Sequence, residues 1–165
     1  MQANRLFPVL TTVASILLVQ GCSKPVSEKL SAVSADVETV ASAPVAQPRT
    51  LSPDGASVFF VTPTDGDVVA GPVAVEFGIA EMSVVKAGVI QASTGHHHLL
   101  IDTDIPDLAM PVPADENHRH FGDASTTAEL SLQPGRHTLR LLFADHAHIP
   151  HDPPVMSDLI TVSVE

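Results

Sequence analysis

The chain has 165 residues, a formal net charge of −11 and one cysteine, with no Trp, no Tyr and six Phe. One cysteine excludes an internal disulfide, and a strongly acidic balance repels nucleic acid and anionic lipid headgroups while attracting cations. Without Trp or Tyr the usual stacking platform for carbohydrate is missing.

In chain order, Arg5 places a positive charge ahead of an apolar stretch, LFPVLTTVASILLV, over Leu6–Val19. Pro8, Thr11, Thr12 and Ser15 interrupt that stretch. It therefore reads as an export signal over residues 1–21 rather than a permanent transmembrane helix. It ends in LVQGC, where a small residue directly before Cys22 fits the bacterial lipobox, although Gln20 is a less usual residue there. Cys22 is thus the expected lipidation site. Ser23, by resemblance to Gram-negative lipoproteins, favours the outer membrane facing the periplasm. Residues 22–50 are rich in Ala, Ser, Val, Pro and Glu without a sustained period. They are expected to form a disordered tether, because such a segment buries too little apolar surface to offset its ordering entropy.

Residues 51–165 are long enough for one domain and too short for two. They carry four basic residues, Lys86, Arg119, Arg136 and Arg140, against sixteen acidic ones. Strands are expected at Ser57–Val61, Val73–Ile79, Gly95–Asp102, Thr127–Leu132, His137–Ala144 and Leu159–Val164. The second alternates cleanly, with Val73, Val75, Phe77 and Ile79 on one face. PTDGD at Pro63–Asp67 and QPGR at Gln133–Arg136 read as turns, the latter returning His137–Ala144 antiparallel to Thr127–Leu132. This pattern predicts an all-β, immunoglobulin-like antiparallel sandwich, with a small barrel as the alternative.

All nine histidines follow residue 95, and eight of them fall in three clusters: His96, His97 and His98; His118 and His120; His146, His148 and His151. Strand alternation puts His96 and His98 on one face and His97 on the other, and both faces carry leucine. Pairs at i, i+2 recur at His118/His120 and His146/His148. Neutral imidazole is a common ligand for first-row metals. The candidate metal ligands are His96, His98, His118, His120, His146, His148 and His151, with His98, His120 and His148 foremost. Asp102, Asp115, Glu116, Asp145 and Asp152 lie near enough in sequence to accept the second ring N–H of a ligand histidine. Met110 and Met156 flank the second and third clusters, and thioether with imidazole suits copper. A site of this kind should weaken as pH falls through about 6.5, the reference histidine value. His137, beside the QPGR turn, reads as a surface residue. The competing reading is a hydrogen-bond network in which each ring bonds to the backbone and pins long loops.

The motifs GASVFFVTPTDGDVV, VAVEFGI, TGHHHLLID, PADENHRHFGDAST and LQPGRHTLRLLFADHAHIPHDPPVMS resemble a bacterial family of secreted proteins known as domain of unknown function 4399. The resemblance covers nearly all of residues 51–165 and implies that all nine histidines match the family pattern. It implies no activity.

Together these features predict an envelope lipoprotein that binds a copper or zinc ion for capture, buffering or delivery. Its expected partners are that ion and the membrane, through Cys22, with no nucleic acid. A metal-dependent or dismutase-like enzyme is a second hypothesis. No HExxH, no GxSxG elbow and no available cysteine nucleophile supports it. A structural or interaction lipoprotein is the third.

Overall fold

A computed structural model describes residues 48–165. The expected signal peptide, the lipidated Cys22 and the tether up to residue 47 lie outside the described residues.

Alternating Val and Phe in a short segment bury one side of a pleated strand and leave the other to solvent. That pattern builds the smaller sheet: β1 (Ser57–Thr62) and β3 (Val73–Ala80) pair antiparallel. We label the intervening Val68–Val69 β2 and Ser83–Val84 β4. The larger sheet centres on β5 (Thr94–Ile101), which pairs antiparallel with β8 (Gly135–Ala144). Short β6 (His118–His120) lies on the other edge of β5, next to β4. β7 (Thr127–Leu130) joins β3 in the smaller sheet. β9 (Pro150–Met156) and β10 (Ile160–Val164) both pair with β8, and β10 also takes β2 in parallel.

The result is an all-β sandwich of immunoglobulin-like build, with sheets of three and seven strands that do not close into a barrel. No helix occurs among the described residues. The core between the sheets joins Val73, Val75, Phe77 and Leu130 to Leu99, Leu139, Leu141, Phe143 and Val162. Each such fully buried side chain contributes about 1.5–3 kcal/mol.

Two local expectations change. Thr127–Leu132 and His137–Ala144 do not form a hairpin: β7 pairs with β3 and β8 with β5, so the QPGR turn crosses between sheets. The cause is Leu130, which is buried opposite Val73 in the smaller sheet. His118–His120 and the HDPP segment, which lie outside the six expected strands, are strands too. The prolines of β9 are tolerated because Pro150 is its first residue and Pro153 and Pro154 fall in the irregularity of its ladder with β8, between Pro150 and Val155, while Asp152 bridges Leu51 on the other side.

The feature that matters for the site is a second roof. Every residue of β5 is buried. One face meets the inter-sheet core. The other is covered by residues 102–117, whose Leu108 and Val112 pack with Leu100, Leu142, Ala144 and Met156. The N-terminal edge of the domain is also tied down. Arg49 donates to the carbonyls of Pro150 and His151 and to Asp152, and Thr50 Oγ1 donates to Asp145 Oδ2 at 2.6 Å.

Candidate metal centre

Strand β5 points His96 and His98 into the roofed outer face, where they are 0% and 1% exposed. Their Nε2 atoms lie 3.1 Å apart. A neutral pair can place at most one proton between two such nitrogens, whereas a cation there takes a lone pair from each. The antiparallel register sets His120 of β6 opposite His98, and paired residues share a face. His96, His98 and His120 each offer a ring nitrogen within 4.8 Å of the others and could together hold a metal ion.

A fourth ring comes from the loop between β8 and β9. His148 lies with its ring centroid 4.9 Å from His96, 5.8 Å from His98 and 4.7 Å from His120. The turn that presents it is built by Asp145. Its carboxylate accepts the amides of Ala147 and Ile149, and its backbone carbonyl accepts the amide of His148. His148 itself sits in the left-handed region, at φ 66°. That conformation is uncommon for a side-chain-bearing residue and is held here by the surrounding hydrogen bonds. The roof is fastened to the same turn, through Val112 N–H donating to the His148 carbonyl at 2.9 Å. Burial pushes the Asp145 carboxyl up, but hydrogen bonds from Thr50, Ile149 and Ala147 outweigh it and leave the group below its ordinary value.

Burial also sets the electrostatics of the rings. It lowers His96 to about 4 and His98 to about 2, with neighbouring histidines adding to the effect. His120 is lowered by burial and then by His148. His96 and His98 are therefore neutral, and ready to ligate, well below the ordinary value of 6.5. The Nδ1 atoms of His96 and His98 are buried without a hydrogen-bond partner among the described residues. A network of rings bonded to carbonyls thus does not describe this cluster.

Carboxylates hold two other histidines, and one of them also bonds a backbone carbonyl. His137 Nδ1 bonds Asp102 Oδ2 at 2.6 Å and its Nε2 bonds the Gln133 carbonyl at 2.8 Å. His118 Nδ1 bonds Asp115 Oδ1 at 2.7 Å. The remaining candidates stand away from the cluster. His151 is fully buried and stacks on Phe143, 5.9 Å between centroids. His146 lies 3.9 Å from Asp145 Oδ2, in a cavity it shares with Thr50, Ile90 and Thr94. His97 packs in the inter-sheet core between Phe77 and Phe143, at 5.2 and 5.1 Å. Of the seven candidate ligands, the fold brings together His96, His98, His120 and His148, and leaves out His146 and His151. His118 lies beside them on β6, bonded to Asp115. The carboxylates expected behind the ligands act elsewhere: among the described residues none hydrogen-bonds to any of the four clustered rings. Met156 packs in the roof, not against a ring.

One residue with a part in the site escaped the sequence reading. A Cβ at Gly122 would overlap the His120 ring at Cε1 and Nε2. The only sequence signal was a glycine two residues after a candidate ligand. Gly122→Ala should displace His120 and weaken metal binding by about tenfold, an effect of the size seen when support behind a ligand is lost. An unchanged affinity in the folded variant would show that His120 does not depend on that space.

The chain matches the family model described as Domain of unknown function (DUF4399) over residues 75–165, which is more than half of its length. The match begins within β3 and spans all nine histidines; residues 51–74 precede it. No curated protein and no solved structure matches the chain significantly.

Proposed function

We propose that this chain, which belongs to the DUF4399 family, is an envelope lipoprotein that binds a transition metal ion, copper or zinc, for capture, buffering or delivery. The observation that carries this reading is the His96–His98 pair: two fully buried imidazoles whose Nε2 atoms face each other at 3.1 Å, with His120 across the strand. Between the two facing Nε2 atoms a single proton can serve only one as donor and the other as acceptor, whereas a bound cation takes a lone pair from both. Their depressed proton affinity keeps them neutral, the form that ligates. The acidic surface draws cations toward the domain. In this reading Cys22 carries the lipid anchor and the domain faces the periplasm from the outer membrane.

The test is calorimetric titration of the full chain, purified without a histidine tag, with Zn(II), Cu(I), Cu(II) and Ni(II). We expect about one equivalent of zinc or copper to bind at a single principal site. Folded protein that takes up none of these ions would rule the reading out.

A further inference from the structure

Three ligands leave the metal with an open position, as hydrolytic zinc sites require; four leave it closed. Which applies here depends on His148. The six centroid separations among His96, His98, His120 and His148 run from 4.7 to 5.8 Å. Four imidazoles bound at ~2.0 Å to a tetrahedral ion have ring centroids ~5 Å apart, all six alike. A square arrangement would instead make two separations ~1.4 times the other four. Here the longest exceeds the shortest by about a quarter, and only one separation stands above the rest.

From this geometry, and resting on the metal-binding reading above, we infer that His148 is the fourth ligand of a closed, tetrahedral four-imidazole centre. Such a centre suits Zn(II) and Cu(I), and disfavours Cu(II) and Ni(II), which prefer tetragonal coordination. It has no position for a substrate or an activated water. The closed centre retains and passes on an ion. The four ligands are unequal in a way that fits exchange. His96 and His98 are fixed on a fully buried strand, whereas His120 is exposed and His148 half-buried. The ion enters and leaves past His120 and His148, and the loop carrying His148 closes the fourth position.

Co(II) is the probe, because its visible spectrum reports coordination number. The full chain loaded with Co(II) should show the intense bands of a tetrahedral ion, and added azide should leave them unchanged. His148→Ala, with His148→Gln as a second variant should the first fail to fold, should still bind Co(II) but gain azide sensitivity as a solvent position opens. Affinity for Zn(II) should fall about tenfold or more in either variant. If azide shifts the spectrum of the parent protein, or its bands are the faint ones of a six-coordinate ion, the closed centre is wrong while metal binding stands. If both variants match the parent, His148 is not the fourth ligand. If the parent binds neither Co(II) nor Zn(II), the inference and the reading beneath it both fall.

Discussion

Replacing His98 and His120 together, as His98→Gln with His120→Ala, should lower metal affinity by about 100-fold or more. The two residues are register partners on adjacent strands, so they approach the ion from two backbones. Loss of a hydrogen-bonding partner behind a ligand already costs 10–100-fold in known metal sites, and removing two ligands directly removes more. Glutamine at position 98 keeps most of the buried volume and limits the cavity penalty that Ala would bring at a residue 1% exposed. His137→Ala is the control. That ring is held by Asp102 and Gln133, and its removal should leave affinity unchanged. Calorimetry on the three proteins, with circular dichroism to establish folding, decides the matter. A folded double variant that binds like the parent would make these histidines structural.

Acid should destabilise the metal-free protein steeply between about pH 6.5 and pH 4. In the unfolded chain the histidines titrate near 6.5. In the folded domain burial lowers His96 and His97 to about 4 and His98 to about 2. Across that window the unfolded state binds more protons, so stability falls as pH falls. Each such proton contributes about 1.4 kcal/mol per pH unit. Three of them acting together can consume a typical domain stability of about 5–15 kcal/mol within two or three pH units. His137 works in the opposite sense: its hydrogen bond to Asp102 and then that to the Gln133 carbonyl raise it, which favours the folded state below its raised value. That pair is partly exposed and its effect is small. Thermal melts of the metal-free chain from pH 7 to pH 4.5 should show the midpoint dropping. His97→Phe should flatten the slope, since it removes one titrating ring from the inter-sheet core and leaves the cluster intact. A melting temperature that does not move over this range would mean the rings protonate as freely in the fold as in solution.

Much of the sandwich was legible because its strands obey a period of two. Val73, Val75 and Phe77 alternate with small or charged residues, and the six expected strands correspond to β1, β3, β5, β7, β8 and β10. Strand β5 was legible as a strand but not in its orientation. GHHHLLID has apolar residues on both faces, and both faces are buried, one by the smaller sheet and one by residues 102–117. Periodicity reports a boundary between core and water, and here there is none to report. The pairing of β7 with β3 was hidden for a related reason: a tight turn fixes where a chain reverses, not which neighbour the next strand finds.

By itself the sequence determined that His96 and His98 share one face of a strand, because side chains two apart along a strand always do. The same rule put His118 and His120 together. It could not say that the strand carrying His120 would lie beside β5 with His98 opposite it, since register is set by long-range pairing. Nor could it separate His146 from His148, which share the same spacing. The Asp145 turn and the positive φ at His148 send that ring to the cluster, while His146 lies with Asp145, Thr50 and Thr94. Local spacing dictates which rings can act as a pair. Only the packing of distant segments decides which pairs meet, because that depends on buried surfaces and hydrogen bonds between residues far apart in the chain.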